Sequence, residues 1–146
     1  MTLKNWADNG WLKPHTTSRQ EIANLLAIAE RDLADATGGI SADWRFGIAY
    51  NAALKLCTVL LHASGYRPER TLAHYRTLQA LPLILGDVRR TDADFLDACR
   101  RKRNTVEYDC VGDANERDVK DLVEFTRRLL GDVRDWLRTN HPQLLA

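Results

Sequence analysis

Apolar residues recur at intervals of three and four along most of this chain, which is the spacing that places them on one face of an α-helix. The first clear run consists of Ile22, Leu26, Ala29, Leu33 and Ala36. Ser18 and Glu21 have the spacing of a capping box, which predicts that a helix begins at Ser18. Gly38 and Gly39 follow the run and mark its end.

The most apolar segment of the chain is residues 46–63, with the sequence FGIAYNAALKLCTVLLHA. Its side chains are apolar on nearly all sides, which is typical of a helix in the middle of a bundle. Ser41 precedes the segment and Gly65 follows it. We therefore expect Ser41 to open this helix and Gly65 to form its C-terminal cap.

Three further helices are predicted toward the C-terminus. We expect one from Thr71 that is interrupted at Pro82, because proline lacks the amide hydrogen that a helix interior requires. Thr91 is expected to cap the next helix and Asn115 or a neighbour to begin the last one, with no helical structure past Pro142. No alternating run is bounded by hairpin turns, so that no β-strand is expected. The predicted fold class is all-α, an antiparallel up-and-down bundle of four to five helices.

The length of 146 residues and the hydrophobic content of 45% suit a single domain with its own core. We expect an N-terminal arm at 1–17, in which Trp6 and Trp11 flank an Asn-Gly turn and pack on the bundle. The helical domain is expected at 18–140 and a C-terminal tail at 141–146. The formal net charge is +1, which means that any site for a polyanion must be a local patch.

The sequence has no signature of secretion, membrane insertion or metal chemistry. Its three cysteines lack CxxC spacing, no basic segment precedes an apolar one at the N-terminus, and no stretch approaches about 20 apolar residues. We expect a soluble, cytoplasmic protein without a membrane partner. The histidines lack HxxxH and HExxH spacing, and no Walker, GxGxxG or GxSxG motif occurs. We therefore expect neither a metal site nor a cofactor.

The segment RRKRNTVEYD, residues 100–109, holds the strongest candidate chemistry. Successive helical residues are about 100° apart, and the four cations therefore cannot share one face. Arg103 lies four residues after Cys99 and eight after Phe95, which places it at the edge of the inward face. Arg101 and Lys102 are expected to face solvent. The plainest interpretation is a group of cations near a helix C-terminus, where they favour the helix dipole.

A helical bundle with an Arg-Asn pair near the end of its penultimate helix, and a ring residue five positions after the arginine, resembles the HEPN superfamily (higher eukaryote and prokaryote nucleotide-binding). The resemblance extends from about Ser18 to Trp136 and includes RFGIAYNAALKL in the second helix. It implies a HEPN-like bundle, commonly a homodimer in which two motifs form one metal-independent cleft. Active members use the arginine, its polar neighbour and a histidine to promote attack of a ribose 2′-hydroxyl on the adjacent phosphate of RNA.

Under this resemblance Arg103 corresponds to the motif arginine and Asn104 to its polar neighbour, but Tyr108 occupies the histidine position. A phenol with an ordinary pKa of about 10 is a much weaker base at neutral pH than an imidazole with a pKa of about 6.5. The resemblance therefore favours a protein that binds RNA, a nucleotide or a nucleotidyltransferase partner through Arg103 and Asn104 without efficient catalysis.

Two alternatives remain open. In one, Arg103, Asn104 and Tyr108 form the catalytic set of a metal-independent endoribonuclease, such as the toxin of a toxin–antitoxin pair. In the other, the chain is a structural interaction module whose apolar fourth and fifth helices form the seam of a homodimer.

Three more residues are candidate ligand contacts. His74 and Arg76 would line the same cleft as Arg103 if the third helix packs beside the fourth. Asn51 lies within an apolar run, where a buried amide needs hydrogen-bonding partners. We expect Asn51 to hold Arg103 in place.

Overall fold

The computed structural model describes residues 1–108 and 112–145, apart from the side chains of residues 106–108. Its helices are α1 (Leu3–Asp8), α2 (Arg19–Asp35), α3 (Ala42–Ala63), α4 (Ala73–Gln79), α5 (Leu81–Leu85), α6 (Arg90–Tyr108) and α7 (Glu116–Asn140). Short 3-10 turns occupy Asp87–Arg89 and Pro142–Leu144, and two strands, β1 (Leu12–Pro14) and β2 (Tyr66–Pro68), form a small sheet. The predicted all-α helical bundle is confirmed.

The central helix of the bundle is α3, which packs against α2, α6 and α7. Ala49, Ala52 and Ala53 are completely buried, and their small side chains let the neighbouring helices approach closely. Each fully buried leucine of α3, such as Leu56 or Leu60, stabilises the fold by roughly 1.5–3 kcal/mol. Among the described helices α3 alone has the length and composition to cross a membrane, but 67% of its apolar window is buried inside the bundle. Such burial is typical of the core helix of a soluble protein.

The predicted starts of three long helices are confirmed by their N-terminal caps. In each helix the capping side chain accepts a hydrogen bond from the backbone N–H three residues later, which satisfies one of the amides that a helix start leaves unpaired. The pairs are Ser18 with Glu21 at 3.1 Å, Ser41 with Trp44 at 3.3 Å, and Asn115 with Asp118 at 2.9 Å. The break at Pro82 is also confirmed, since α4 ends at Gln79 and Pro82 lies in the first turn of α5.

The expectation of no β-strand is wrong. Strands β1 and β2 pair antiparallel, with Leu12 opposite Pro68 and Pro14 opposite Tyr66. Each strand has three residues, which is too short for an alternating pattern to be visible in the sequence. The pairing attaches the N-terminal arm to the end of α3, and within that arm Trp6 is 8% exposed and packs in a small cluster with Leu12.

Other boundaries differ from the predicted ones. Helix α4 begins at Ala73 rather than at Thr71. Thr91 does not cap α6, because the 3-10 turn Asp87–Arg89 leads directly into the helix at Arg90. Helical structure also continues past Pro142 as a 3-10 turn, in which the missing amide hydrogen of proline costs nothing because first-turn amides have no partner within the helix.

Candidate ligand-binding site

The predicted pair Arg103 and Asn104 lies in the last turns of α6, a helix that packs against α3 and α4. Arg103 is half-buried, and its Nη1 donates a hydrogen bond of 3.2 Å to Oδ1 of Asn104. The guanidinium carbon of Arg103 lies 5.7 Å from the centre of the Tyr50 ring on α3, within the range of a cation–π contact. Arg103 therefore points from α6 toward the central helix.

Tyr50 is a buried residue of this region that sequence reasoning missed. It is 1% exposed, and within the described part of the chain its hydroxyl has no hydrogen-bond partner. Burial raises the pKa of Tyr50 well above its ordinary value, although the charges of Arg100 and Arg103 act in the opposite direction. The hydroxyl is therefore a neutral donor at physiological pH. A tyrosine inside an apolar run is the signal that identifies it, because its hydroxyl needs a partner when buried.

Positive charge collects around the Tyr50 ring. The ring of His74 on α4 lies 6.4 Å from that of Tyr50. Partial burial lowers the pKa of His74, and the nearby charges of Arg103, Lys55 and Arg100 lower it further. We call Tyr50, His74, Arg100 and Arg103 the Tyr50 cluster. It unites side chains from α3, α4 and α6, and it brings two of the predicted residues, His74 and Arg103, into one electrostatic environment.

The consecutive cations of α6 have different environments. Arg100 donates from Nε to Asp97 at 2.8 Å, and its guanidinium carbon lies 5.8 Å from the Tyr75 ring. The Arg101 side chain is 69% exposed and lies 3.7 Å from Asp97, while Lys102 approaches Asp118 of α7 at 3.3 Å. The run is thus not a uniform basic stripe, and its members reach solvent, α7 and the Tyr50 cluster separately.

Asn51 does not hold Arg103 in place. Its Nδ2 donates a hydrogen bond of 2.7 Å to Oδ2 of Asp32 on α2. Asp32 is 5% exposed and also accepts hydrogen bonds from Arg31. A buried carboxylate requires donors, and Asn51, one residue and about 100° beyond Tyr50 on α3, supplies one toward α2. The structure gives Asn51 a bond between helices rather than a place in the Tyr50 cluster.

Arg76 lies against the N-terminal arm. Its guanidinium carbon is 3.8 Å from the centre of the Trp11 ring and 5.7 Å from that of Trp6. These distances are those of stacked cation–π pairs, and they join α4 to α1 and to the residue before β1. The arginine that the sequence placed beside Arg103 therefore packs on the two tryptophans.

The residues that lead into α7 are held by side chains from the start of α3. Asp43 accepts hydrogen bonds from the backbone N–H of Gly112 at 2.6 Å and of Ala114 at 3.1 Å. Arg45 forms an ion pair with Glu116 at the start of α7. The third member of the predicted catalytic set, Tyr108, is the last residue of α6, and its side chain lies outside the described residues. Its relation to Arg103 stays a prediction.

A cleft of about 810 Å³ lies elsewhere, between α2 and the C-terminal residues, and none of the predicted site residues lines it. Arg134 and Glu30 line it and form an ion pair with each other, which leaves Arg19 as the other charged residue of the lining. We therefore place the candidate site at the Tyr50 cluster. No family model, no curated protein and no solved structure matches this chain.

Proposed function

We propose that this chain is a HEPN-like protein that binds RNA or a nucleotide through Arg103, Asn104 and the surrounding Tyr50 cluster, without efficient cleavage. The observation that carries the proposal is that Arg103 and His74 lie beside the buried Tyr50 ring, with Arg100 close enough for its charge to act on Tyr50 and on His74. Guanidinium groups bind phosphate oxygens through paired hydrogen bonds. Asn104 adds an amide to the same turn of α6.

The nearly neutral charge of the whole chain is consistent with a small, localised binding site for a polyanion. A formal net charge of +1 gives no general attraction to polyanions, so that binding must depend on the few cations that are grouped together. Each phosphate contact releases counterions, and the affinity of such a site falls as salt concentration rises. A small number of contacts predicts a shallow dependence of affinity on salt.

The proposal does not include efficient catalysis, because the two tyrosines in question, Tyr108 and Tyr50, are poor candidates for a general base. Tyr108 replaces the histidine of the resembled motif, and the pKa of the buried Tyr50 is raised rather than lowered. Burial makes the Tyr50 phenol a poorer base at neutral pH, and a phenol with an ordinary pKa of about 10 at position 108 would be a weak base there. One imidazole does lie in the cluster, that of His74, and partial burial lowers its pKa, which favours the neutral form that can accept a proton. An active endoribonuclease would therefore be expected to depend on His74 as well as on Arg103.

The first experiment measures binding of fluorescently labelled single-stranded RNA by anisotropy. We expect the Arg103→Ala, Asn104→Ala double variant to lose at least about tenfold in affinity, since a charged hydrogen bond contributes about 1.5–3 kcal/mol. Arg101→Ala is the matched control, because its side chain lies on the same helix and is 69% exposed; its affinity should change less than about twofold. Equal affinities for the wild type and the double variant, both verified as folded, contradict the proposal.

A second experiment separates binding from catalysis. Wild type, Arg103→Ala and His74→Ala are incubated with mixed RNA in EDTA, followed by gel analysis and identification of the end groups. Intact RNA with all three proteins is expected. Cleavage by the wild type alone, with 2′,3′-cyclic phosphate ends, would establish the endoribonuclease alternative. If the wild type binds neither RNA nor nucleotide, the nucleotidyltransferase partner or the structural module becomes the better interpretation.

The homodimer also stays a prediction. Its support is the resemblance, in which two motifs form one cleft. Sedimentation equilibrium gives the mass directly. A mass of twice 16.6 kDa is expected, and a monomer at all concentrations would exclude both the two-motif cleft and the structural dimerisation module.

A further inference from the structure

Three side chains that are far apart in the sequence meet at the N-terminal end of α2. His15 follows strand β1, Glu21 lies in the first turn of α2, and His62 lies in the last turn of α3. Oε1 of Glu21 is 2.8 Å from Nε2 of His15 and 3.0 Å from Nδ1 of His62. The donor atoms of all three groups lie within 4.8 Å of one another. We call these residues the His15–Glu21–His62 cluster.

The donor set is one that divalent transition metals select. Two imidazole nitrogens and one carboxylate oxygen form the His₂Glu set of open zinc sites, with ligands about 2.0–2.2 Å from the ion. Two ligands at that distance are about 3 Å apart at a right angle and about 3.4 Å apart at the tetrahedral angle. The separations of 2.8 and 3.0 Å in the cluster already suit the first arrangement, and small rotations of the side chains reach the second.

The conformation of Glu21 shows that the cluster is built by the fold. In a full capping box its carboxylate would return to the backbone N–H of Ser18. Ser18 does accept from the Glu21 N–H, but the Glu21 carboxylate instead turns toward the two histidines. Oε1 also accepts a hydrogen bond of 2.7 Å from Oγ1 of Thr17, which is the kind of outer contact that orients a metal-binding carboxylate.

Both histidines are held by the same local structure. The backbone N–H of His15 donates to the carbonyl of Gly65 at 2.9 Å, which places the residue after β1 beside the end of α3. The two imidazole rings lie 4.1 Å apart. The exposed fractions of the side chains are 21% for His15, 36% for Glu21 and 15% for His62. The cluster is thus preformed and open on one side, where water could complete a coordination sphere.

We propose that His15, Glu21 and His62 bind one divalent transition-metal ion of the zinc class through Nε2, Oε1 and Nδ1, with water in the remaining positions. Each imidazole would then present a lone pair at the nitrogen that now faces Glu21, and its proton would move to the other ring nitrogen or to solvent. The ion would join the residue after β1 to α2 and α3, and so fasten the N-terminal arm to the bundle.

This site is separate from the proposed RNA site. Tyr50 and His62 both lie on α3, and twelve helical residues correspond to about 18 Å along the axis. The metal proposal therefore does not depend on RNA binding, and loss of one activity should leave the other in place.

The experiment titrates chelator-stripped protein with Zn²⁺ by calorimetry and with Co²⁺ by visible absorption. We expect one ion per chain, a visible d–d band with Co²⁺, and a higher melting temperature with Zn²⁺. His62→Ala and Glu21→Gln should each weaken Zn²⁺ binding by at least about 100-fold, since even outer-shell changes cost about 10–100-fold. His141→Ala is the control, because His141 packs against Trp136 away from the cluster, and it should bind as the wild type does.

Two results would overturn the proposal. One is that the wild type gives no binding heat with Zn²⁺, no d–d band with Co²⁺ and no rise in melting temperature with Zn²⁺. This result does not depend on whether any variant folds. The other is retention of full Zn²⁺ affinity by folded His62→Ala, which would assign the ion to other surface groups.

Discussion

The guanidinium carbon of Arg103 lies 5.7 Å from the centre of the Tyr50 ring, whose hydroxyl is buried without a hydrogen-bond partner among the described residues. The cation is attracted by the face of the ring, but the hydroxyl is left in a costly position. An unsatisfied buried polar group of this kind points to a constraint other than stability. Under the proposed function that constraint is ligand binding.

Replacement of Tyr50 by phenylalanine tests this interpretation. We expect the free energy of unfolding of Tyr50→Phe to rise by about 1 kcal/mol, because the variant removes a buried hydroxyl that has no partner among the described residues and leaves the ring in place. The affinity for RNA is expected to fall in the same variant. Urea denaturation and anisotropy give the two quantities. A loss of stability would mean that the hydroxyl has a partner, such as water, that stabilises the free protein.

His74 reports the charge around it. Its pKa is expected to lie below the ordinary value of 6.5, first because of partial burial and then because of Arg103, Lys55 and Arg100. Arg103→Ala should raise this pKa, and a bound phosphate should raise it as well, since each reduces the positive potential. NMR titration of the ring protons measures both effects. An unchanged pKa in Arg103→Ala would show that the two side chains are not electrostatically coupled.

The same shift predicts how stability depends on pH. Because the pKa of His74 is lower in the folded protein than in the unfolded chain, the unfolded chain binds more protons below about pH 6.5. The stability contribution of His74 is therefore fully present above about pH 6.5, and it is lost as pH falls from about 6.5 through the folded-state pKa. Denaturation at a series of pH values should show a shallower dependence for His74→Ala, with His141→Ala as the control. Equal slopes would contradict the assignment.

Asn51 is expected to matter for stability and not for RNA. Asn51→Ala leaves one oxygen of the buried Asp32 without its donor, and it should lower the free energy of unfolding by about 1–3 kcal/mol. RNA affinity should stay within about twofold of the wild-type value when measured below the unfolding transition. A large loss of RNA affinity in folded Asn51→Ala would show that Asn51 does contribute to the ligand site.

Local sequence rules predicted much of the fold. Ser18, Ser41 and Asn115 act on backbone groups three residues away, and Pro82 acts on its own turn. Signals of this kind can be read from a few neighbouring residues of the sequence. The face of α6 that Arg103 occupies follows from helical spacing in the same way.

Contacts between distant segments were not predictable from one sequence. Nothing near Asn51 indicates that its partner is Asp32 on another helix rather than Arg103. The two histidines of the His15–Glu21–His62 cluster are 47 positions apart in the sequence, and motif spacing detects only groups that lie close together on one helix or loop. The same reason hides the pairing of β1 with β2, which depends on where the arm meets the end of α3.

The final prediction concerns Arg76, which the sequence placed in the ligand site and the structure places on Trp11 and Trp6. A cation–π contact contributes about 0.5–2 kcal/mol, and Arg76→Ala should therefore speed hydrogen exchange in β1 without changing RNA affinity. Arg70→Ala, at an exposed position before the same helix, should change neither quantity. Because the arm pairs with β2, faster exchange should appear in both strands together. If Arg76→Ala instead weakens RNA binding as strongly as Arg103→Ala does and leaves exchange unchanged, Arg76 belongs to the ligand surface and its contact with the tryptophans is incidental.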